Sequence, residues 1–161
     1  KMPFDMNEND NDFSQFCLVA EKLIEAQIEL GNKYFISGMA QGADLMLAEI
    51  VIKLKQKYPD VFLECALPFR HQSKKWSTKY KTVYDDIIKN CDKITVISEK
   101  YSALCFLQRN KYMVDSSGIV IAVYDGKKGG THFTCQYAQK KGRQIIILNP
   151  ARCCVYCQQT I

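Results

Sequence analysis

The stretch FISGMAQGAD, Phe35 to Asp44, passes from an apolar strand-like segment through two glycines, with three residues between them, into the apolar pattern of a helix. A strand that enters a helix through glycine aims unpaired backbone N–H groups at one point, so this turn is a natural place for a ligand. Upstream, Phe16, Cys17, Ala20, Leu23, Ile24 and Ile28 fall at the spacing of one helical face, closed by Gly31-Asn32. Downstream, Ala43, Met46, Leu47, Ile50, Val51 and Leu54 trace a second helical stripe that ends before Tyr58-Pro59.

The alternation continues. Val61 to Leu67 reads as a buried strand ending at Pro68, and PFRHQSKKW, too polar and broken for a core element, reads as a loop. A helical face over Tyr80 to Cys91 leads into the strand KITVIS, and CFLQRNKYMV is helical to about Val114. GIVIAVYDG has the continuous apolar character of a strand buried on both faces of a parallel sheet. A second glycine turn, DGKKGGTH, launches a helix from Thr131 to about Lys141, and RQIIILNP closes with a strand stopped by Pro150. The expected fold is α/β: a three-layer Rossmann-like domain over residues 1–150, with a mostly parallel sheet of about five strands, helices on both faces and a detachable tail over 151–161. Such folds take ligands outside the carboxyl ends of their strands. Both glycine turns, the Pro68 loop and the residues after Ser98 lie at those ends.

The bulk properties narrow the function. At 161 residues and 47% hydrophobic, the chain fits one domain. It has no run of roughly 20 apolar residues that could span a membrane, and KMPFDMNENDND lacks the apolar core of a secretion signal, which reads as cytoplasmic. Lys1 is not an initiator methionine, which leaves room for residues upstream. The net charge of +5 is spread over lysine pairs with acids interleaved, which favours solvated surface over a nucleic-acid stripe. Of eight cysteines, five sit singly among apolar neighbours as free thiols. Cys154 and Cys157 form a C-x-x-C, but zinc needs a second ligand pair and His71 and His132 stand alone, so no metal and no required cofactor are expected.

The first turn is neither G-x-G-x-x-G nor a Walker A loop. Gly38, Met39 and Gly42 still line it, but Asp44 occupies the field a phosphate would want and suits a ribose diol better. Gly129, Gly130 and Thr131 form the better phosphate cradle: no acid lies in the first helical turn, and Lys127 and Lys128 precede it. The plainer alternative is an ordinary glycine turn with a threonine cap. Arg109, at a helix edge beside an apolar face that includes Phe106, suits phosphate, with Asn110 next to it. Trp76 can stack on a base or anchor its loop on the core.

FISGMAQGADLMLAE, PFRHQSKKW, QRNKYMVDSS and VIAVYDGKKGGT, in this order, resemble the YpsA-like branch of the SLOG superfamily over about Lys1 to Pro150. The resemblance implies a Rossmann-like domain that binds a nucleotide or nucleotide-derived ligand at glycine loops, and relatives in the superfamily include the cytokinin-activating (LOG) phosphoribohydrolases and the DNA-processing protein DprA. In the phosphoribohydrolases an arginine on a helix precedes a turn ending Gly-Thr, with a catalytic glutamate two residues on. Arg109 and Gly130-Thr131 match that outline, but Phe133 stands where the glutamate belongs, so no residue is assigned as catalytic. The family opens with a strand ending Thr-Gly-His-Arg-Pro, then Lys-hydrophobic-Pro, and Lys1-Met2-Pro3 resembles the latter part. The expected function is a binding or sensor protein, with phosphate on Gly129 to Thr131 and Arg109, sugar hydroxyls on Asp44, and the base against Asn110 and the Pro68 to Trp76 loop. A glycoside hydrolase in which Asp44, Glu49 or His132 replaces the glutamate, and a DprA-like nucleic-acid binder, are the alternatives. Self-association is left open.

Overall fold

The fold was obtained as a computed structural model, which describes residues 11–150 and 154–158. The Lys1-Met2-Pro3 segment lies outside the described residues. The chain is α/β and Rossmann-like, with strands β1 (Tyr34–Ser37), β2 (Phe62–Leu67), β3 (Lys93–Val96), β4 (Ile119–Val123) and β5 (Gln144–Asn149) separated by helices. These helices are α1 (Asn11–Glu29), α2 (Ala43–Lys55), α3 (Thr78–Asn90), α4 (Cys105–Asp115) and α5 (Gly130–Lys140). None of the described helices is long and apolar enough to cross a membrane.

The expected single sheet is described as two three-stranded sheets, ordered β1-β2-β3 and β4-β5-β6. They fall in two compact units, residues 21–109 and residues 1–20 with 110–161. The sixth strand, β6 (Cys154–Gln158), replaces the expected detachable tail: it runs antiparallel to β5, with Val155 opposite Leu148 and Cys157 opposite Ile146. Four consecutive apolar residues, Ile145 to Leu148, make β5 a strong template whose backbone groups need a partner on each side. Among the described residues no group of three or more His, Cys, Asp or Glu could hold a metal ion, and the side chains of Cys154 and Cys157 lie outside the description.

In the unit of residues 21–109, β1, β2 and β3 pair in parallel, with Ile36 opposite Glu64 and Glu64 opposite Lys93. Helix α1 runs from residues 1–20 into this unit, and its apolar stripe is realised by Phe13, Phe16 and Ala20 before the boundary and by Ile24 and Ile28 after it, all buried. The helix stops in a Schellman turn: Gly31 has φ 93°, its N–H donates to Ile28 O (3.0 Å), and Asn32 N–H donates to Gln27 O (3.0 Å). Helix α2 packs on β1 and β2 through Leu45, Ala48 and Val51 among others. In the other unit, Val114, Ala122, Cys135, Ala138, Ile145 and Ile147 form the core between α4, α5 and the β4-β5 pair.

A carboxylate sits at the centre of the first sheet. Glu64 on β2 is 1% exposed, and it accepts hydrogen bonds from the Tyr34 hydroxyl on β1 and the Thr95 hydroxyl on β3 (2.6 Å), with the Lys93 ammonium 3.2 Å away. Burying a charge is costly unless donors surround it, and here the donors come from both neighbouring strands. The knot therefore pins the register of all three strands.

The β2-β3 crossover is fixed by a second acid. Asp92 follows α3 and accepts the Leu63 N–H at 2.7 Å, while the Lys55 ammonium of α2 closes on it. Burial pushes its carboxyl up, but the Leu63 amide and Lys55 together hold it below the usual aspartate value. Its stability contribution is thus fully present above about pH 4 and is lost as pH falls through the lower folded value. In urea titrations, Asp92→Asn should cost about 1 kcal/mol at pH 7. The gap to wild type should shrink as pH falls below the ordinary aspartate value and the native carboxyl takes up its proton; a gap of constant size throughout an acid titration would show that charge is not its source.

Candidate functional site

Two glycine turns carry the candidate chemistry, one in each unit, and their local geometry is opposite in kind. In the first, β1 ends at Ser37 and α2 begins after Gly42, whose φ of 97° and ψ of −121° suit a residue without Cβ. Met39, between them, adopts a left-handed conformation (φ 57°) and is fully buried. A non-glycine residue holds that conformation only where its surroundings over-determine it. Here they do: Met39 N–H donates to Ser37 Oγ (3.2 Å), Met39 O accepts from Gln72 Nε2 (3.0 Å), and Ala40 N–H donates to Asp44 Oδ2 (3.2 Å).

Arg109 completes this turn from α4. It is 5% exposed, Nη1 donates to Gly38 O, and the same nitrogen lies 3.5 Å from Asp44 Oδ2. Gly38 is what admits it: a Cβ there would come closer to the guanidinium and to Asp44 Oδ2 than real Cβ atoms ever do. The sequence places Arg109 at a helix edge, open to a ligand; the structure seats it instead in the elbow of the strand-to-helix turn. The amides of Met39 and Ala40, which a phosphate would use, are already spent on Ser37 and Asp44. Asp44 keeps its other oxygen, Oδ1, clear of both contacts, on a side chain 35% exposed.

The Pro68 to Trp76 segment is anchored. Pro68 is fully buried, a short 3-10 helix spans Gln72–Lys75, and Gln72 reaches Met39 O as described. The Trp76 ring meets Tyr84 of α3 edge to face, with centroids 5.4 Å apart, and so takes the anchoring alternative. Phe106, expected on the apolar face of α4, is 44% exposed. It joins Phe69 and Tyr101 in a ring cluster that the sequence did not reveal, because isolated aromatics in a loop and at a helix start carry no periodic signal.

The second turn, in the unit of residues 1–20 and 110–161, is open. Gly129 is the N-cap of α5, with no side-chain cap and no acid in the first helical turn. Its backbone is extended (φ 166°), which any residue can adopt, and a Cβ at Gly129 or Gly130 would meet nothing within 4 Å. Thr131 is exposed, and so are Lys127 and Lys128. Lys127 pairs with Asp125 (3.0 Å), whose carboxyl it holds below the usual aspartate range. Asn110 Nδ2 donates to Thr134 Oγ1 (3.0 Å), and that hydroxyl donates to Gly130 O (2.9 Å), so Asn110 reaches the first turn of α5. His132 Nδ1 is hydrogen-bonded to the Tyr124 hydroxyl at 2.7 Å. Phe133, at the position of the phosphoribohydrolase glutamate, is 62% exposed.

The fit between Gly38 and Arg109 predicts strong non-additivity. Gly38→Ala should lose about 2–3 kcal/mol in urea unfolding, by expelling a buried guanidinium. In an Arg109→Ala background the same substitution should cost well under half as much. Equal costs in both backgrounds would show that the guanidinium is not what the glycine accommodates.

Comparison with known proteins accords with this architecture. The YpsA family model, described as the YspA SLOG family, matches residues 3–149. The chain is similar to the uncharacterized SPbeta prophage-derived protein YoqJ of Bacillus subtilis, with 39% identity covering 80% of this chain and 84% of that protein. It is also similar to a UPF0398 protein of Halalkalibacterium halodurans, with 32% identity over 77% and 67%, and to one of Bacillus thuringiensis, with 29% identity over 87% and 79%. With the model spanning nearly all of both units and both glycine turns inside the matched range, the chain belongs to the YpsA family of SLOG proteins.

Proposed function

We propose that this is a cytoplasmic binding or sensor protein for a nucleotide or nucleotide-derived ligand, with the α5 turn as its phosphate contact. The observation that carries the reading is the unexplained glycine pair. Neither backbone angle nor packing calls for glycine at positions 129 and 130, yet their lack of side chains leaves the first amides of α5 approachable. A helix start with no acid in its first turn attracts an anion through its amides and its dipole. Thr131 adds an exposed hydroxyl at the same place.

Asp44 Oδ1 is the proposed acceptor for sugar hydroxyls, a contact to be tested separately from the phosphate contact. Arg109 supports that role indirectly, by holding the other carboxylate oxygen and fixing the direction of Oδ1. Hydrolysis by the phosphoribohydrolase route has less support: Phe133 carries no carboxylate, and His132 already spends one ring nitrogen on Tyr124.

Calorimetric titration of the full chain with AMP, ADP-ribose and inorganic phosphate tests the reading. The nucleotides should bind. Gly130→Asp, which sets a carboxylate in the first turn of α5, should weaken AMP at least 10-fold, whereas Asp44→Asn should weaken ribose-bearing ligands and leave phosphate unchanged. Failure of the wild-type protein to bind any of the three would overturn the proposal.

A further inference from the structure

The peptide between Met39 and Ala40 is gripped at both ends by side chains from two segments. Its carbonyl accepts a hydrogen bond from Gln72 Nε2 (3.0 Å), and its N–H donates to Asp44 Oδ2 (3.2 Å). In a trans peptide the C=O and N–H point in opposite directions, so one rigid plane stands between Gln72 and Asp44 and turns as a unit. Were that plane to flip, the carbonyl oxygen would face the Asp44 carboxylate, an acceptor against an acceptor. Gln72 therefore controls, across the plane, whether Asp44 Oδ2 meets a donor.

The residue that opens this peptide is strained. Met39 holds φ 57°, although the glycines of the turn stand at positions 38 and 42. A left-handed methionine persists only where its surroundings enforce that conformation. Gln72 is placed to enforce it. It is 7% exposed, begins the short 3-10 helix Gln72–Lys75, and belongs to a segment anchored by the buried Pro68 and by Trp76 against Tyr84. A buried amide in so rigid a segment keeps its hydrogen bond to Met39 O, because leaving that bond unmade is costly. The effect reaches Asp44. With Oδ2 turned toward Ala40 N–H and the Arg109 guanidinium (3.5 Å), the carboxylate presents Oδ1 outward on a side chain 35% exposed.

We infer that Gln72 is a positioning residue for the Asp44 carboxylate and sets the direction in which Oδ1 accepts the hydroxyls of a ribonucleoside. This rests on the reading of Asp44 as the sugar contact and adds a specificity determinant to it. Arg109 holds Oδ2 directly, and Gln72 holds it through the intervening peptide. All these residues lie within residues 21–109, so the sugar contact is complete in that unit. An ionised carboxylate only accepts hydrogen bonds, so Oδ1 selects for hydroxyl donors. A site built to bond a hydroxyl rejects the analogue that lacks it, which makes a ribonucleoside the favoured class over its dideoxy counterpart.

The test is NMR on the isotope-labelled full chain, with adenosine and 2′,3′-dideoxyadenosine as probes, for wild type, Asp44→Ala, Gln72→Met and Gln72→Leu. The two Gln72 variants remove the donor at similar volume, and their spectra will establish that each is folded. Wild type should bind adenosine roughly 10-fold more tightly than the dideoxy analogue, the scale of a hydrogen bond to a charged group. Asp44→Ala should erase this preference, and so should either Gln72 variant although Asp44 is intact. In the Gln72 variants, amide exchange should quicken roughly 5-fold or more at Ala40, as loss of one hydrogen bond does, while the amides of β1 and β2 keep their wild-type protection. If the preference survives in both Gln72 variants, or if exchange quickens throughout the unit instead of at Ala40, Gln72 is a structural residue only; its positioning role is overturned and the Asp44 contact stands. If wild type shows no preference for adenosine, the Asp44 contact and the role of Gln72 fall together, and AMP binding alone then decides the phosphate contact.

Discussion

A guanidinium packed into the elbow of a strand-to-helix turn is the constraint on which the first half of the molecule depends. Arg109 reaches Gly38 O and Asp44 Oδ2 at once, and both contacts need a backbone with no Cβ at position 38. A single buried cation therefore closes the end of β1, orients the acid at the start of α2, and fixes where α4 begins its second turn. The strained Met39 between Gly38 and Gly42 is tolerable because its amide, its carbonyl and its buried side chain are all held in place.

Glycine serves opposite ends in the two turns. At Gly38 the missing side chain makes room for a group of the protein itself, so the turn is filled from within. At Gly129 and Gly130 the missing side chains make room for nothing in the chain, and the helix start faces outward. Sequence inspection separates the two turns by charge alone, with Asp44 after Gly42 and no acid after Gly130. That the first is filled from within rests on where one arginine goes, and an arginine 71 residues from its acceptor gives no local signal of its destination.

Much of the fold was nonetheless legible. The stripe from Phe16 to Ile28, the apolar run at Ile145 to Leu148 and the glycine-led helix starts are local signals, and each element they predicted is present within a few residues of its expected bounds. Asp44 lies at the start of α2, as the local pattern places it, since a residue's position at a helix start is also a local signal. Two features escaped. The strand β6 lies in a cysteine-rich tail without alternation, and only its pairing with β5 reveals it. The cluster of Phe69, Tyr101 and Phe106 joins residues from two loops and a helix, so nothing short of the folded chain sets them side by side.

The strand β6 has a bearing on how this protein is handled. The family match ends at residue 149, and a truncation designed on that boundary would remove the strand that covers β5. The backbone of Ile145 to Leu148 would then present an apolar, uncharged, unpaired edge, the sort of surface that recruits another chain in register. What looks from the family boundary like a dispensable tail is, for this chain, the strand that occupies one edge of β5.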